Sequence, residues 1–278
     1  MDADLDTLAT ALHVRTDDLL RSAPERAPWR PAIGLSPQIS DAELVTLAVM
    51  RALLGFTSES RWLRFATAQL RHRFPYLPQQ SGYHKRLRTL AATISRLTGM
   101  PARDTTLWTD DVWVTDSTPV ERARSREAVH RGELAGWAEY GYCAGHSRYF
   151  WGLRLHLPAT LHGPPAGFAL TGAKADERTV LLDIPHTDPP PHRPGQLLIG
   201  DENYSGAELD TTLAETGPNL LRPARKDEPD RAGNRFFKPL RQTIESISDT
   251  YKGQLNPEDH GGKTPNGVLV RTLQTSSP

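Results

Sequence analysis

The stretch 111–120, DVWVTDSTPV, alternates and is rich in β-branched residues. Val112, Val114 and Asp116 fall on one face of a period-two strand. The pattern predicts a strand that ends at Ser117, with Asp116 at its close. An acid that follows an apolar strand points out of the sheet edge, where α/β proteins place their sites. Working outward, RYFWGLRLHLPAT (148–160) and GFALTGAKA (167–175) read as two further strands, and ADERTVLLDI (175–184) as a helix. GQLLIGDENYSG (195–206) carries a buried run, Leu197–Ile199, then turns at Gly200 and Asp201. NLLRPAR (219–225) reads as a fifth strand, and KDEPDRAGNR (226–235) as a polar loop. Strands followed by mixed strands and helices predict an α/β sheet domain over 101–278.

The first hundred residues have a different texture. Leu5, Leu8, Leu12, Leu19 and Leu20 mark a helix over 3–22, and SAPERAPWRP is a Pro-rich linker. Ser40 with Glu43 three residues on is a capping box that opens a helix. Ser58 or Ser60 opens the next, through Trp62, Leu63, Phe65 and Leu70, and 81–98 reads as one more. This all-helical region, 1–100, holds the charge asymmetry of a chain that is neutral overall. Residues 51–100 carry nine Lys or Arg against Glu59 alone, a net of +8. Such a block predicts a polyanion partner, and short helices with clustered Arg are compatible with helix-turn-helix DNA binding. Its aromatics, Trp62, Phe65, Phe74, Tyr76 and Tyr83, suit core packing better than stacking on bases.

Several classes are excluded. Cys143 stands alone, so there is no internal disulfide, and its C-x2-H spacing with His146 lacks the companion pair that zinc needs. No apolar run approaches the roughly 20 residues of a membrane span. The acidic start, MDADLDTLATALHV, is neither a signal nor a transit peptide. No nucleophile elbow or phosphate-binding Gly loop occurs. A cytoplasmic protein with no membrane partner is expected.

The late stretch LRQTIESISDTYKG (240–253) is the other place where chemistry shows. On a wheel of 100° per residue with Arg241 at zero, Leu240, Ile244, Ile247 and Tyr251 gather between roughly 240° and 300°. Glu245 and Lys252 fall at roughly 40° and 20°, beside Arg241 in a second stripe. Pro239 suits the helix start and Gly253 its stop. An Arg241–Glu245 surface pair would account for two of the charges, at a few tenths of a kcal/mol. Lys252 lies too far along the helix to join it.

R-x3-E-x6-K on a late helix, after VTDSTPV and IGDENYSG, resembles the DDE insertion-sequence transposases with a Y-R-E-K signature. YFWGLRLHL and ALTGAKADE fit the same pattern. The likeness covers about 105–271, and SGYHKRLRTL resembles the N-terminal part of such proteins. It implies an RNase H-like mixed sheet with flanking helices, in which two Asp and one Glu bind two Mg²⁺ (or Mn²⁺) ions. On this chain those acids are Asp116, Asp201 and Glu245. The resemblance gives Arg241 and Lys252 to DNA phosphates, and Lys85, Arg86 and Arg88 lie in the basic DNA-binding region. It implies double-stranded DNA as partner (transposon inverted-repeat ends and target), a homodimer in the synaptic complex, and a bacterial, nucleoid-associated location. The residue types suit the chemistry: two hard cations about 4 Å apart activate the attacking oxygen and stabilise the leaving one. Carboxylates alone can hold Mg²⁺.

Asp110 and Asp111 compete with Asp116, and Glu202 with Asp201; Asp116 and Asp201 are preferred for their places at strand ends. The signature Tyr falls on Lys238, with Phe236 and Phe237 nearby. GVLVRTLQ (267–274) resembles the start of the family's closing helix, expected to be cut short at TSSP. The leading expectation is therefore a transposase that cleaves and transfers DNA strands, possessing the acids of the site whether or not the shortened chain is active. The rivals are an RNase H-like nuclease without strand transfer and a transposase-derived protein that binds DNA without cutting it.

Overall fold

The computed structural model describes residues 5–24, 36–56, 58–98, 110–123, 134, 136–143, 147–163, 165–184, 194–226, 228–229, positions 231, 233, 236, 237, 240, 242–247 and 249, and Val268. The chain forms two compact units, Met1–Thr98 with Asn266–Pro278, and Gly99–Pro265.

The described part of the first unit is helical: α1 (Leu5–Ser22), α2 (Asp41–Leu53), α3 (Glu59–Gln69), α4 (Gln80–Thr89) and α5 (Ala91–Thr98). The capping box forms as read. The Ser40 N–H donates to Glu43 Oε2 at 2.7 Å, and the Glu43 N–H donates to Ser40 Oγ at 3.0 Å. From this start α2 runs through the centre of the unit, with Leu44 to Arg51 all buried. Ser58 caps α3 by accepting from the Arg61 N–H. The single helix expected over 81–98 is instead two, because the backbone turns at Leu90 (φ −98°, ψ 7°). Leu87, Leu90 and Ile94 are all buried. Trp62, Phe74 and Tyr83 belong to the core, and Trp62 packs on Phe56 and Phe65.

The second unit carries a six-stranded mixed sheet: β1 (Val112–Ala123), β2 (Glu139–Cys143), β3 (Arg148–Thr160), β4 (Ala169–Gly172), β5 (Leu197–Ile199) and β6 (Asn219–Leu221). The order is β2-β3-β1-β5-β6. β4 joins the same edge of β3 as β2, along Leu153–His156, just past the Arg148–Gly152 segment that β2 occupies. β1 is antiparallel to β3 and parallel to β5, and β5 is parallel to β6. Two helices follow the strands in sequence, α6 (Glu177–Asp183) before β5 and α7 (Ala207–Thr216) before β6.

The core of this unit is set by register. Trp113 pairs with Leu198, and Leu198 with Leu220, so the three share one sheet face. Leu181 of α6 and Leu209 and Leu213 of α7 pack on that face, together with Tyr204. Val114 and Ile199, on the opposite face, are buried as well.

Three features depart from the sequence reading. β1 does not end at Ser117 but continues to Ala123. Pro119 is tolerated because β5 pairs only with Val112–Val114, so the later part of β1 has an edge with no ladder to β5. β2 lies in EYGYC, where no strand was expected. Gly141 hides the alternation, and it is needed for close approach: a Cβ there would meet the Ala173 Cβ at 2.7 Å. α7 lies in AELDTTLAET, where Thr weakens the helical signal. The hydroxyls of Thr211, Thr212 and Thr216 donate back to the carbonyls of Ala207, Glu208 and Thr212. Gly217 ends the helix in the left-handed region, at φ 98°.

Candidate active site

Asp116 sits within β1, two residues past Val114, and Asp201 sits two residues past Ile199, the pairing partner of Val114. Because β1 and β5 are parallel, both acids lie at the end of their shared ladder where pairing stops. This corrects the reason given for Asp116: the strand continues, and it is the pairing with β5 that ends there. The same register sets Asp110 and Asp111 apart from Asp116. The Asp111 carbonyl accepts from the Leu197 N–H, and the Asp110 carbonyl from Gln196 Nε2. Asp110 and Asp111 therefore flank the opposite end of the ladder.

The loop after β5 is built to hold Asp201. Its Oδ1 accepts from the Asn203 N–H and its Oδ2 from Asn203 Nδ2, both at 2.8 Å. Arg225 Nε donates to the Glu202 carbonyl at 3.1 Å, and Arg178 Nη1 to the Ser205 carbonyl at 2.9 Å. Glu202 itself is exposed. Beneath the loop lies Tyr204, fully buried, whose hydroxyl accepts from Thr115 Oγ1 at 3.4 Å. Gly200 makes this possible, since a Cβ there would meet the Tyr204 ring at 2.8 Å and Thr115 Cγ2 at 3.4 Å. Gly200→Ala is expected to cost about 1–3 kcal/mol through displacement of that ring. Urea unfolding checks it, with an unchanged midpoint as the contrary result.

Electrostatics mark the same place. Asp201 presents an open side to solvent, yet the protein around its carboxyl, together with Glu177, Asp116 and Glu202, pushes it up to about 6. Burial pushes Tyr204 well above the ordinary phenol value, and Glu177, Asp116 and Asp201 add to the effect. Glu177 and Asp116 contribute to both shifts, beside the larger effect of burial. The sign for stability follows from linkage. A carboxyl raised in the folded state is fully protonated in both states below its unfolded value, and its penalty is complete above about 6. Asp201→Asn is expected to raise the melting temperature of the metal-free chain at pH 7.5, with the gain shrinking as pH falls from 6 towards 4. Thermal melts across that range test it; a gain that grows on acidification would contradict it.

The donor set suits a hard divalent cation: carboxylate oxygens only, already repelling one another. Among the described residues, no group of three or more His, Cys, Asp and Glu side chains is drawn together closely enough to hold a metal. Glu245 is helical and exposed, and Ile244 and Ile247 on the same segment are half-buried, as the apolar stripe requires. Nothing described sets Glu245 beside the two aspartates. Arg241, Lys252 and His146 lie outside the described residues, as does all of 267–274 except Val268, which is buried.

The DNA-binding candidates of the first unit separate by burial. Lys85 is exposed and Arg88 half-buried. Arg86 donates to the Ile39 carbonyl at 2.7 Å and to Asp41 Oδ1 at 2.6 Å, which ties α4 to the start of α2. Arg61, Arg64, Arg71 and Arg73 are exposed, while Arg51 is buried against Glu59.

The family described as Transposase DDE domain matches residues 107–271. The chain belongs to this transposase family. Its matched segment spans both Asp116 and Asp201 and the described part of the Glu245 helix. Among curated proteins none matches the chain. One similar solved structure is a piggyBac transposase synaptic complex with hairpin DNA, 11% identical, with a TM-score of 0.33. The match covers 81% of this chain and 49% of that one, so the chain spans about half its length. No helix of the transposase chain, among the described residues, is long and apolar enough to cross a membrane.

Sequence reasoning missed Glu177, Arg154, Ser117 and Tyr204. Arg154 Nη1 pairs with Glu177 and donates to Ser117 Oγ at 3.0 Å, and Ser117 Oγ donates to Glu177 Oε1 at 2.6 Å. Asp176 caps α6 by accepting from the Arg178 N–H. That cap was the available signal: it makes Glu177 read as an ordinary first-turn acid.

Proposed function

We propose that the chain is a transposase that uses divalent cations, Mg²⁺ or Mn²⁺, to cleave and transfer DNA strands at insertion-sequence ends. The observation that supports this most is the register of β1 and β5, which puts Asp116 and Asp201 at one end of a ladder in a chain of the DDE family. Asp116 and Asp201 would hold the metal, with Glu245 as third acid from the late helix. A bound pair of ions supplies an activated oxygen nucleophile and charge stabilisation at the leaving oxygen. The protein's own part is placement. Asn203 fixes both oxygens of Asp201, and the Ser117 N–H donates to Asp116 Oδ1 at 2.8 Å. Arg241 and Lys252 would hold phosphates near Glu245. Lys85, Arg88 and the exposed arginines of α3 would carry the first unit's contact with duplex DNA, and Arg86 would set the angle of α4. A synaptic homodimer goes with this reading, as does work in the bacterial nucleoid.

Incubation of the full chain with Mg²⁺ and DNA carrying the sequences that flank its gene tests the proposal. Cleavage at terminal inverted repeats with joined target DNA supports it. Cleavage without joined products favours a nuclease that does not transfer strands. A second reading, a DNA-binding protein that does not cut, rests on the exposed basic residues of the first unit. Metal-independent binding with no cleavage under any divalent cation is its signature.

A further inference from the structure

We propose that Glu177, held by Arg154 and Ser117, is a positioning residue that strengthens divalent-cation binding at Asp116 and Asp201. The inference rests on the metal-site reading of those two aspartates. Its basis is a short chain of hydrogen bonds. The Ser117 N–H donates to Asp116 Oδ1 at 2.8 Å, and Ser117 Oγ donates to Glu177 Oε1 at 2.6 Å. Arg154 closes the arrangement by donating to Ser117 Oγ, to Glu177 and, at 3.2 Å, to the Tyr142 carbonyl. Glu177 therefore fixes the residue that fixes Asp116, from the first turn of α6, while Arg154 holds it from β3.

A purely structural ion pair would knit α6 to the sheet and do nothing else. Two observations go beyond that. The pair converges on Ser117, whose backbone N–H also donates to Asp116 Oδ1. Glu177 also lies among the charges around Asp201, with Asp116 and Glu202. It thus neighbours Asp201 through space and is linked to Asp116 by the hydrogen bonds of Ser117. Arg154 pairs with Glu177 and with Ser117 Oγ, so the arrangement is in place before a metal arrives.

The test is Mn²⁺ affinity of the full chain at pH 7.5, by electron paramagnetic resonance or calorimetry, with the melting temperature measured alongside. Glu177→Gln keeps the shape and an acceptor for Ser117 but removes the charge. It is expected to weaken Mn²⁺ binding about tenfold, the scale at which outer partners of metal ligands act, with little change in melting temperature. Ser117→Ala breaks the same link and is expected to weaken binding severalfold; it stands in if Glu177→Gln does not fold. Asp201→Asn serves as the control and is expected to abolish binding. Wild-type affinity in Glu177→Gln, or in Ser117→Ala, while Asp201→Asn has lost it, overturns the role of Glu177 alone. Undiminished affinity in Asp201→Asn, or no Mn²⁺ binding by the wild type, overturns the metal-site reading and the inference with it.

Discussion

Asp116→Asn and Asp201→Asn are each expected to lower Mg²⁺-dependent strand cleavage by about 10³-fold, because a lost metal ligand forfeits several kcal/mol of transition-state charge stabilisation and each 1.36 kcal/mol is tenfold. Asparagine is nearly the same size and leaves the strand and loop intact. At position 116 it still offers an oxygen to the Ser117 N–H, and at 201 one to the Asn203 N–H. What disappears is the charge. On the proposed reading DNA binding falls to the exposed basic residues of α3 and α4, which lie in a different unit of the chain. Gel-shift affinity should therefore be unchanged while cleavage falls, with no loss of melting temperature to mark a folding defect in the second unit. A fall in melting temperature along with the cleavage would instead assign the two aspartates to structure.

Trp113→Ala is expected to destabilise the second unit by about 3–5 kcal/mol, the cost of a large cavity in a core that relaxes only partly. Trp113 is buried on β1 and packs among Leu181, Leu198, Tyr204, Leu209 and Leu213, which come from both helices and the next strand. It joins the elements that carry the site, since Asp116 lies three residues on along β1 and Leu198 three residues before Asp201. For a unit of this size the melting temperature should fall by about 10 °C. Calorimetry checks it. A shift of a degree or less would mean that Trp113 is not the packing centre of this sheet.

The elements with strong local signals could be read from the sequence. The Ser40–Glu43 capping box, the leucines of α1 and the long alternation of β3 each carry enough periodicity to stand alone. Asp116 and Asp201 stand out in the sequence as acids following apolar runs, and both fall within the matched domain. Most of the rest depended on neighbours distant in the chain. β2 depends on Gly141's close approach to Ala173, while in α7 the local threonine back-bonds dilute the periodic pattern. The extension of β1 through Pro119 is possible only because β5 is short, and no local feature of VTDSTPVERA announces that. Arg86 looked like its basic neighbours until folding placed it against Asp41. Glu177 is farthest from legible, because its meaning comes from Ser117, sixty residues earlier, and from Arg154 on the strand between them.

In the proposed site Asp116 and Asp201 hold a divalent cation between them. Iron-directed backbone cleavage tests it without requiring the DNA ends. Fe²⁺ replaces Mg²⁺, and ascorbate with peroxide generates radicals that cut the chain next to the bound ion. The account predicts cuts near residues 116 and 201, suppressed by excess Mg²⁺ and absent in Asp201→Asn. Cuts confined to other segments, or cuts that persist unchanged in Asp201→Asn, would contradict it.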